Sequence, residues 1–248
     1  MAGAGYSTRA GAMWRGAMGC IVATLVLSVA LSGCAAISSA AGRTAGRTAE
    51  PTLTLAVLGA SDAWGVGSFD PDRLNWPTEL AGDLGRPVHL INLGVPGATL
   101  AQAEQQELPV ALDEHPDIVV IWLAVNDIIA EVPLASYASA LRQTLAAFAQ
   151  QAPHTRVFVG NVPDLTQVPY FGGADPATLR AQVLAWNEAI AQACAASGAR
   201  LVDLYQDWNQ LSGRRSYISP DGLHPSQRGA DELARIFSAA IQLSESPR

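Results

Sequence analysis

Two hydrophobic patterns alternate along most of the chain. Five short apolar runs rich in β-branched residues indicate buried strands, at 52–59, 87–94, 117–125, 155–163 and 199–205. Five longer amphipathic stretches indicate helices, at 75–84, 99–114, 134–151, 176–197 and 226–242. Strands that alternate with helices predict an α/β fold with one five-stranded, mostly parallel sheet covered on both faces. Ligands of such sheets bind beyond the carboxyl ends of the strands, so we look for chemistry there.

The N-terminus follows a different pattern. Arg9 and Arg15 precede an apolar run from Cys20 to Leu31, which is short for a membrane span and suited to a signal peptide. The run leads into Leu-Ser-Gly-Cys, ending at Cys34, and this resembles the lipobox of bacterial lipoproteins. That resemblance implies cleavage before Cys34 and lipidation of its thiol, which would anchor the exported protein to the cell envelope outside the cytoplasm. An ordinary secretory peptide with an incidental Cys34, or a retained membrane helix, remains an alternative.

Composition divides the chain into three parts. Residues 1–33 are the expected signal peptide, residues 34–51 are a flexible tether of small and polar residues, and residues 52–248 are one domain. All 15 basic residues are arginine, and the 22 acidic ones give a formal net charge of −7. A nucleic-acid partner is not expected, because a phosphate backbone requires a basic surface. We expect a monomer.

A serine and a late Asp/His pair are the first candidates for catalysis. Ser61 follows the first strand between Gly59 and Gly65, where it could act as a nucleophile or merely stabilise a turn. Asp221 and His224 precede a helical stretch, close enough for the carboxylate to orient the imidazole. Capping of that helix is the competing interpretation.

Two further strand ends offer hydrogen-bond donors. Gly94 ends the second strand and Asn126 follows the third, at the edge that carries Ser61. The N–H groups of Ser61 and Gly94 and the side-chain amide of Asn126 could hold the oxyanion of an acyl-transfer reaction. Taken singly, Gly94 and Asn126 are also ordinary turn residues.

Other polar and aromatic residues give weaker signals. The stretch 113–117 contains Asp113, Glu114, His115 and Asp117, and a solvated loop is favoured there over a metal site. Cys194 is interpreted as a buried apolar thiol. Five aromatic residues could line a substrate pocket, although packing is the favoured role: Trp64, Phe69, Trp76, Tyr170 and Phe171.

Taken together, these residues resemble the SGNH hydrolases, also called the GDSL lipase/esterase superfamily. Ser61, Gly94, Asn126 and His224 occur in the order of the four residues that name the family, and Asp221 stands three positions before the histidine. The resemblance implies a flavodoxin-like three-layer α/β/α fold and a catalytic triad of Ser61, His224 and Asp221. It also implies an oxyanion hole from Ser61, Gly94 and Asn126, with no metal and no cofactor.

The resemblance extends from Leu53 to about Leu243 and has two departures. The first block reads Gly-Ala-Ser rather than Gly-Asp-Ser, with Ala60 before the serine and a carboxylate displaced to Asp62. The third block has Ala124 where the family has glycine. Neither replaced residue carries out chemistry in the family. An α/β-hydrolase is disfavoured, because its nucleophile requires glycine where Ala63 stands.

The resemblance implies hydrolysis of a carboxylic ester through an acyl-serine intermediate. Substrates would be small-molecule, glycan or lipid esters, and short acyl or acetyl groups are favoured because no lid insertion is evident. An acyltransferase acting on envelope sugars and a catalytically silent binding lipoprotein of the same fold remain alternatives. A two-lobed solute-binding lipoprotein is disfavoured by the length of the chain.

Overall fold

The computed structural model describes residues 52–211 and 214–244. Its five strands form a single sheet in which every pairing is parallel, in the order β2-β1-β3-β4-β5. The strands are β1 (Leu53–Gly59), β2 (Val88–Asn92), β3 (Ile118–Trp122), β4 (Arg156–Gly160) and β5 (Arg200–Val202). The order reverses between β1 and β3, which creates the crevice where parallel sheets bind ligands.

Helices cover both faces of this sheet. They are α1 (Ser61–Trp64), α2 (Trp76–Asp83), α3 (Leu100–Gln106), α4 (Leu108–Asp113), α5 (Val125–Ile129), α6 (Leu134–Gln151), α7 (Pro176–Ser197), α8 (Leu204–Gln210) and α9 (Gln227–Leu243). Short 3₁₀ helices occur at Leu165–Gln167, Pro169–Phe171 and Arg214–Tyr217. The predicted three-layer α/β/α architecture with a parallel sheet is confirmed.

Alternating strand residues build a separate core on each face. Ala56 and Leu58 of β1 pack with the layer that contains α3, α4, α6 and α7. Leu55 and Val57 pack on the other face with α2 and α9, where Trp76 stacks on Phe237 with ring centroids 5.1 Å apart. Burial of each large apolar side chain contributes about 1.5–3 kcal/mol, so the sheet is a rigid support for residues at its carboxyl edge.

The predicted helix over 99–114 is wrong in one respect, because it is two helices. α3 ends at Gln106 and α4 begins at Leu108, with Glu107 between them. Pro109 has no N–H to continue the ladder of α3 and suits the first turn of a new helix. The side chain of Glu107 is buried and bonds to the end of β1 instead of facing solvent.

The predicted strand over 199–205 is also too long. β5 ends at Val202, and α8 begins at Leu204. Asp203 accepts a hydrogen bond from the Gln206 N–H at 3.1 Å. This N-cap favours the start of α8 at this point. The strand ends here because an aspartate side chain that accepts a nearby backbone N–H stabilises a helix start rather than an extended conformation.

Predictions for the N-terminal region lie outside the described residues. These are the signal peptide at 1–33, the tether at 34–51 and the lipidation of Cys34. Across 52–211 and 214–244, none of the helices combines the length and the apolar character needed to cross a bilayer. Cys194 is buried within α7, as predicted, and burial raises its pKa to about 11.

Candidate active site

Ser61 stands at the first position of α1, directly beyond the carboxyl end of β1. The turn is tight, because the Trp64 N–H donates to the Ala60 carbonyl at 3.0 Å and the Gly65 N–H donates to the Ser61 carbonyl at 3.1 Å. A Cβ on Gly59 would lie only 2.6 Å from the Cβ of Ala63. Glycine is therefore required at 59 for the short helix to fold back over the strand end and present the serine hydroxyl at the sheet edge.

The turn before α9 brings Asp221 against His224. The Asp221 Oδ1 accepts the N–H groups of Leu223 at 2.8 Å and His224 at 3.0 Å. Its Oδ2 lies 2.7 Å from the His224 Nδ1. Partial burial opposes ionisation, but hydrogen bonds that include those from Leu223 and His224 outweigh it and hold the pKa of Asp221 well below its ordinary value. The carboxylate is therefore ionised and fixed in direction.

The other ring nitrogen of His224 meets Ser61. The His224 Nε2 lies 2.8 Å from the Ser61 Oγ, although the two residues are 163 positions apart. With its Nδ1 proton directed at Asp221, the ring has an Nε2 lone pair that can accept the serine proton. The structure therefore brings together all three residues that the sequence suggested for nucleophilic catalysis.

The three expected oxyanion donors differ in whether their N–H groups already have a hydrogen-bond acceptor. The Ser61 N–H makes no hydrogen bond to another described residue. The Asn126 Nδ2 donates to the Ala98 carbonyl at 2.9 Å, which uses one of its two N–H bonds and leaves the other. The Gly94 N–H donates to the Asn92 Oδ1 at 3.1 Å. Two donors are thus open, and the third is already occupied by a side-chain acceptor.

Gly94 also has a packing role. A Cβ at this position would lie 2.9 Å from both the Ala60 carbonyl oxygen and the Trp64 nitrogen, and 2.8 Å from the Ala63 Cβ. Only glycine lets the loop after β2 approach the turn that carries Ser61. The loop therefore supports the position of the serine as well as offering an N–H group.

A cleft opens beside these groups, and a second cavity shares part of its wall. The first cavity has a volume of about 70 Å³ and is lined by Ser61, Asp62, Asn126 and His224 together with apolar side chains. The second has a volume of about 50 Å³ and shares Trp122, Val125, Leu223 and Pro225 with the first. Its remaining lining is entirely apolar, from Pro163, Leu165, Val168, Leu204, Trp208, Ile218 and Leu233. A polar reaction centre therefore adjoins a space suited to hydrocarbon.

The displaced carboxylate of Asp62 does not bond to His224. Its Oδ2 accepts a hydrogen bond from the Trp76 Nε1 at 3.3 Å. Desolvation by burial raises its pKa to about 6, against opposing hydrogen bonds that include the one from Trp76. Ala60 and Ala124 are both buried and present only methyl groups at the two positions that depart from the family pattern.

The sequence interpretation missed two buried acids. The Glu107 Oε2 accepts the Gly59 N–H at 2.9 Å, and its Oε1 has no hydrogen-bond partner among the described residues. Burial, with a smaller effect from Asp62, raises the pKa of Glu107 to about 8. Asp127 accepts the Leu100 N–H at 3.0 Å, and burial raises its pKa to about 6. The sequence does contain a signal for the burial of Glu107, because position 107 continues the apolar stripe of α3.

The five aromatic residues considered for a pocket line neither cavity. Trp76 is fully buried in the core between the sheet, α2 and α9, whereas Phe171 is partly buried against the core on the other face of the sheet. Trp64, Phe69 and Tyr170 are exposed by 53%, 90% and 54%. The aromatic side chain that does line both cavities is Trp122, which the sequence interpretation had assigned only to a strand.

The acidic stretch after α4 has a structural explanation. The Asp117 Oδ2 accepts the Thr54 N–H at 2.8 Å, which joins the starts of two neighbouring strands. Asp113, Glu114 and His115 are exposed. Within 52–211 and 214–244, no group of three or more His, Cys, Asp or Glu side chains is arranged to hold a metal ion.

Comparison with known proteins gives one family. The model of the GDSL-like Lipase/Acylhydrolase family matches residues 57–231, which contain Ser61, Gly94, Asn126, Asp221 and His224. A search of curated proteins found no match.

Two solved structures illustrate the likeness in fold. A lipase/acylhydrolase from Enterococcus faecalis is 20% identical with a TM-score of 0.64, over 79% of this chain and 99% of that chain. Axe2, an acetylxylan esterase from Geobacillus stearothermophilus, is 18% identical with a TM-score of 0.62, over 76% of this chain and 94% of that chain. At these identities the likeness shows the shared fold.

Proposed function

The chain belongs to the GDSL-like lipase/acylhydrolase family and is a carboxylic ester hydrolase, and we propose that it cleaves short-chain acyl or acetyl esters through an acyl-serine intermediate. The observation that carries this proposal is the continuous chain of contacts from Asp221 through His224 to Ser61, at 2.7 and 2.8 Å. Serine is a weak nucleophile unless an adjacent base removes its proton, and this chain of contacts supplies the base.

In the first half of the reaction, the His224 Nε2 takes the hydroxyl proton as the Ser61 Oγ bonds to the ester carbonyl carbon. The Ser61 N–H and the free N–H of the Asn126 amide stabilise the resulting oxyanion. The bond to the alcohol oxygen then breaks, and His224 returns its proton to that oxygen. The products are a free alcohol and an acyl-serine.

Water completes the cycle. His224 removes a proton from water, and the new oxygen bonds to the acyl carbon. The bond to the Ser61 Oγ breaks, the serine regains its proton from His224, and the carboxylic acid leaves. Asp221 remains ionised throughout and stabilises the imidazolium that forms twice in each cycle.

The second cavity supports the preference for short acyl groups. Its volume of about 50 Å³ is several times the roughly 10–15 Å³ that one water molecule requires, so it has room for a short hydrocarbon chain. Its wall of Leu204, Trp208 and Leu233 belongs to the packed region between α8 and α9. A long acyl chain would have to displace these side chains, at a cost of about 1–3 kcal/mol for overpacking.

The decisive experiment uses the chain without residues 1–34 on a series of p-nitrophenyl esters, with a fluorophosphonate probe. We expect labelling of Ser61 and the highest kcat/KM on acetyl to hexanoyl esters. Ser61→Ala should abolish both labelling and turnover, whereas the matched Ser136→Ala on the exposed side of α6 should change neither. Failure of a folded protein to label would instead identify a silent binding protein, and a preference for long acyl chains would refute the assignment of the second cavity.

We further propose that the protein is exported and held at the cell envelope by a lipid on Cys34. This rests on the N-terminal sequence pattern alone. A full-length chain expressed with a labelled fatty acid should incorporate the label and partition into detergent, and Cys34→Ser should lose both properties. Release of the unmodified wild type into the medium would contradict the anchor.

A further inference from the structure

Buried carboxyl groups tie down both ends of α3. At its start, Asp127 accepts the Leu100 N–H, and Asp127 directly follows the donor residue Asn126. At its end, Glu107 accepts the Gly59 N–H, two residues before Ser61. The helix thus connects the segment that carries the oxyanion amide to the segment that carries the nucleophile.

The Glu107 carboxyl group takes the place of a backbone acceptor for the Gly59 N–H. The last paired residues of β1 and β2 are Val57 and Asn92, so Gly59 lies beyond the end of β2, although it still pairs with β3 on its other side. Its N–H would otherwise be left without an acceptor in a buried place, which costs about 1–3 kcal/mol. Glu107 is 2% exposed, and its Oε2 provides that acceptor.

The charge on Glu107 matters because of what faces it. Its second oxygen, Oε1, is buried with no partner among the described residues. The charge of Asp62 in α1 contributes to raising the pKa of Glu107, while Asp127 lies at the far end of α3. A neutral carboxyl group fits this place, and burial keeps it neutral by raising its pKa to about 8. The hydrogen bond from the Gly59 N–H favours the ionised form and offsets this effect only in part, so Glu107 accepts that bond in either form.

We propose that Glu107 is a positioning residue for ester hydrolysis, which holds the Gly59–Ser61 turn in register with His224 through its hydrogen bond to the Gly59 N–H. The inference rests on the proposed function of Ser61. Glu107 touches neither substrate nor reacting atoms, and acts through the backbone of Gly59.

The test is the split between kcat and KM for p-nitrophenyl acetate with the full-length chain at neutral pH. Glu107→Ala removes the acceptor of the Gly59 N–H and should lower kcat about tenfold or more with KM unchanged, because the change disturbs the nucleophile and not the binding surface. Glu107→Gln keeps an oxygen for the Gly59 N–H and should restore kcat to the wild-type value.

Glu114→Gln is the matched control, because it makes the same change at an exposed position at the end of α4. It should leave kcat and KM at their wild-type values. Unchanged kcat in folded Glu107→Ala, or a loss of kcat in Glu107→Gln as large as in Glu107→Ala, would overturn the positioning role. If Glu107→Ala does not fold, Glu107→Asp decides, because its carboxyl group is one methylene shorter and should lower kcat with KM unchanged. Absence of fluorophosphonate labelling in wild type would refute the proposed function, whereas labelling with kcat insensitive to position 107 would refute this inference only.

Discussion

Glu107 also predicts how the stability of the fold depends on pH. The perturbation is Glu107→Gln, which preserves the shape of the side chain and the acceptor for the Gly59 N–H while removing its titration. Because the folded-state pKa is raised, the native protein holds this proton more tightly than the unfolded chain does. The stabilisation is complete below the unfolded pKa of 4.5 and is lost as the pH rises through the folded value of about 8.

The size of the effect follows from that shift. Each pKa unit corresponds to about 1.4 kcal/mol, so a rise from 4.5 to about 8 amounts to at most about 5 kcal/mol over the whole window. Asp62 and Asp127 lose their own contributions between 3.8 and about 6. Above about pH 6, Glu107 contributes more than Asp62 or Asp127 to the change of stability with pH. Between about pH 6.5 and 8 we therefore expect wild type to lose on the order of 2 kcal/mol that Glu107→Gln does not lose.

Urea unfolding followed by tryptophan fluorescence measures this difference directly. The free energy of unfolding is determined for both proteins at several pH values, and the wild-type value is subtracted from that of the variant. Groups that titrate in both proteins cancel in the subtraction. The difference in the free energy of unfolding should therefore grow by about 1.4 kcal/mol per pH unit between about pH 6.5 and 8. If the free energies of unfolding of the two proteins changed with pH in parallel, the pKa of Glu107 would not be raised in the folded state, and the reasoning would be refuted.

Three other substitutions test the geometry of the site. Asp221→Asn places an amide donor against the His224 Nδ1 and favours the wrong tautomer, so kcat should fall by about 10⁴-fold while circular dichroism stays unchanged. Asn126→Ala removes an oxyanion donor and should lower kcat by about 10²–10³-fold with little change in KM. Gly94→Ala forces a methyl group against the turn of Ser61, so steady-state kinetics should show a loss of kcat and thermal unfolding a loss of about 1–3 kcal/mol. Unchanged kcat in any of the three would contradict the role assigned to that residue.

The sheet and the reactive groups could be predicted from local sequence because each leaves a local pattern. Strands buried on both faces read as continuous apolar runs, and all five predicted runs correspond to observed strands. Asp221 and His224 are three residues apart, so a single turn is enough to join them. Ser61 could be placed at the same edge because parallel strands all end there, although the 2.8 Å contact with His224 depends on the completed fold.

The second cavity could not be predicted in the same way. Its walls come from β3, α5, α8 and α9, from the 3₁₀ helix at Leu165–Gln167 and from the loops between them. Each contributing side chain is an ordinary apolar residue, and nothing in the local sequence separates a residue that lines a cavity from one that fills the core. Trp122 illustrates this, because its position in a strand predicts burial but not that it borders the catalytic cleft.

Glu107 is a different case, because the sequence carried a conflict that could have been interpreted. Leu100, Ala103 and position 107 lie on one face of α3. Burial of an acid on such a face costs free energy of folding unless a hydrogen-bond partner is present. Pro109 marks the same point as the end of the helix. Ala60 adds a third irregularity, since the family pattern has a carboxylate there and this chain has none. Residues that break local rules without local compensation tend to serve the site, and here the buried acid supports the strand end from which the nucleophile projects.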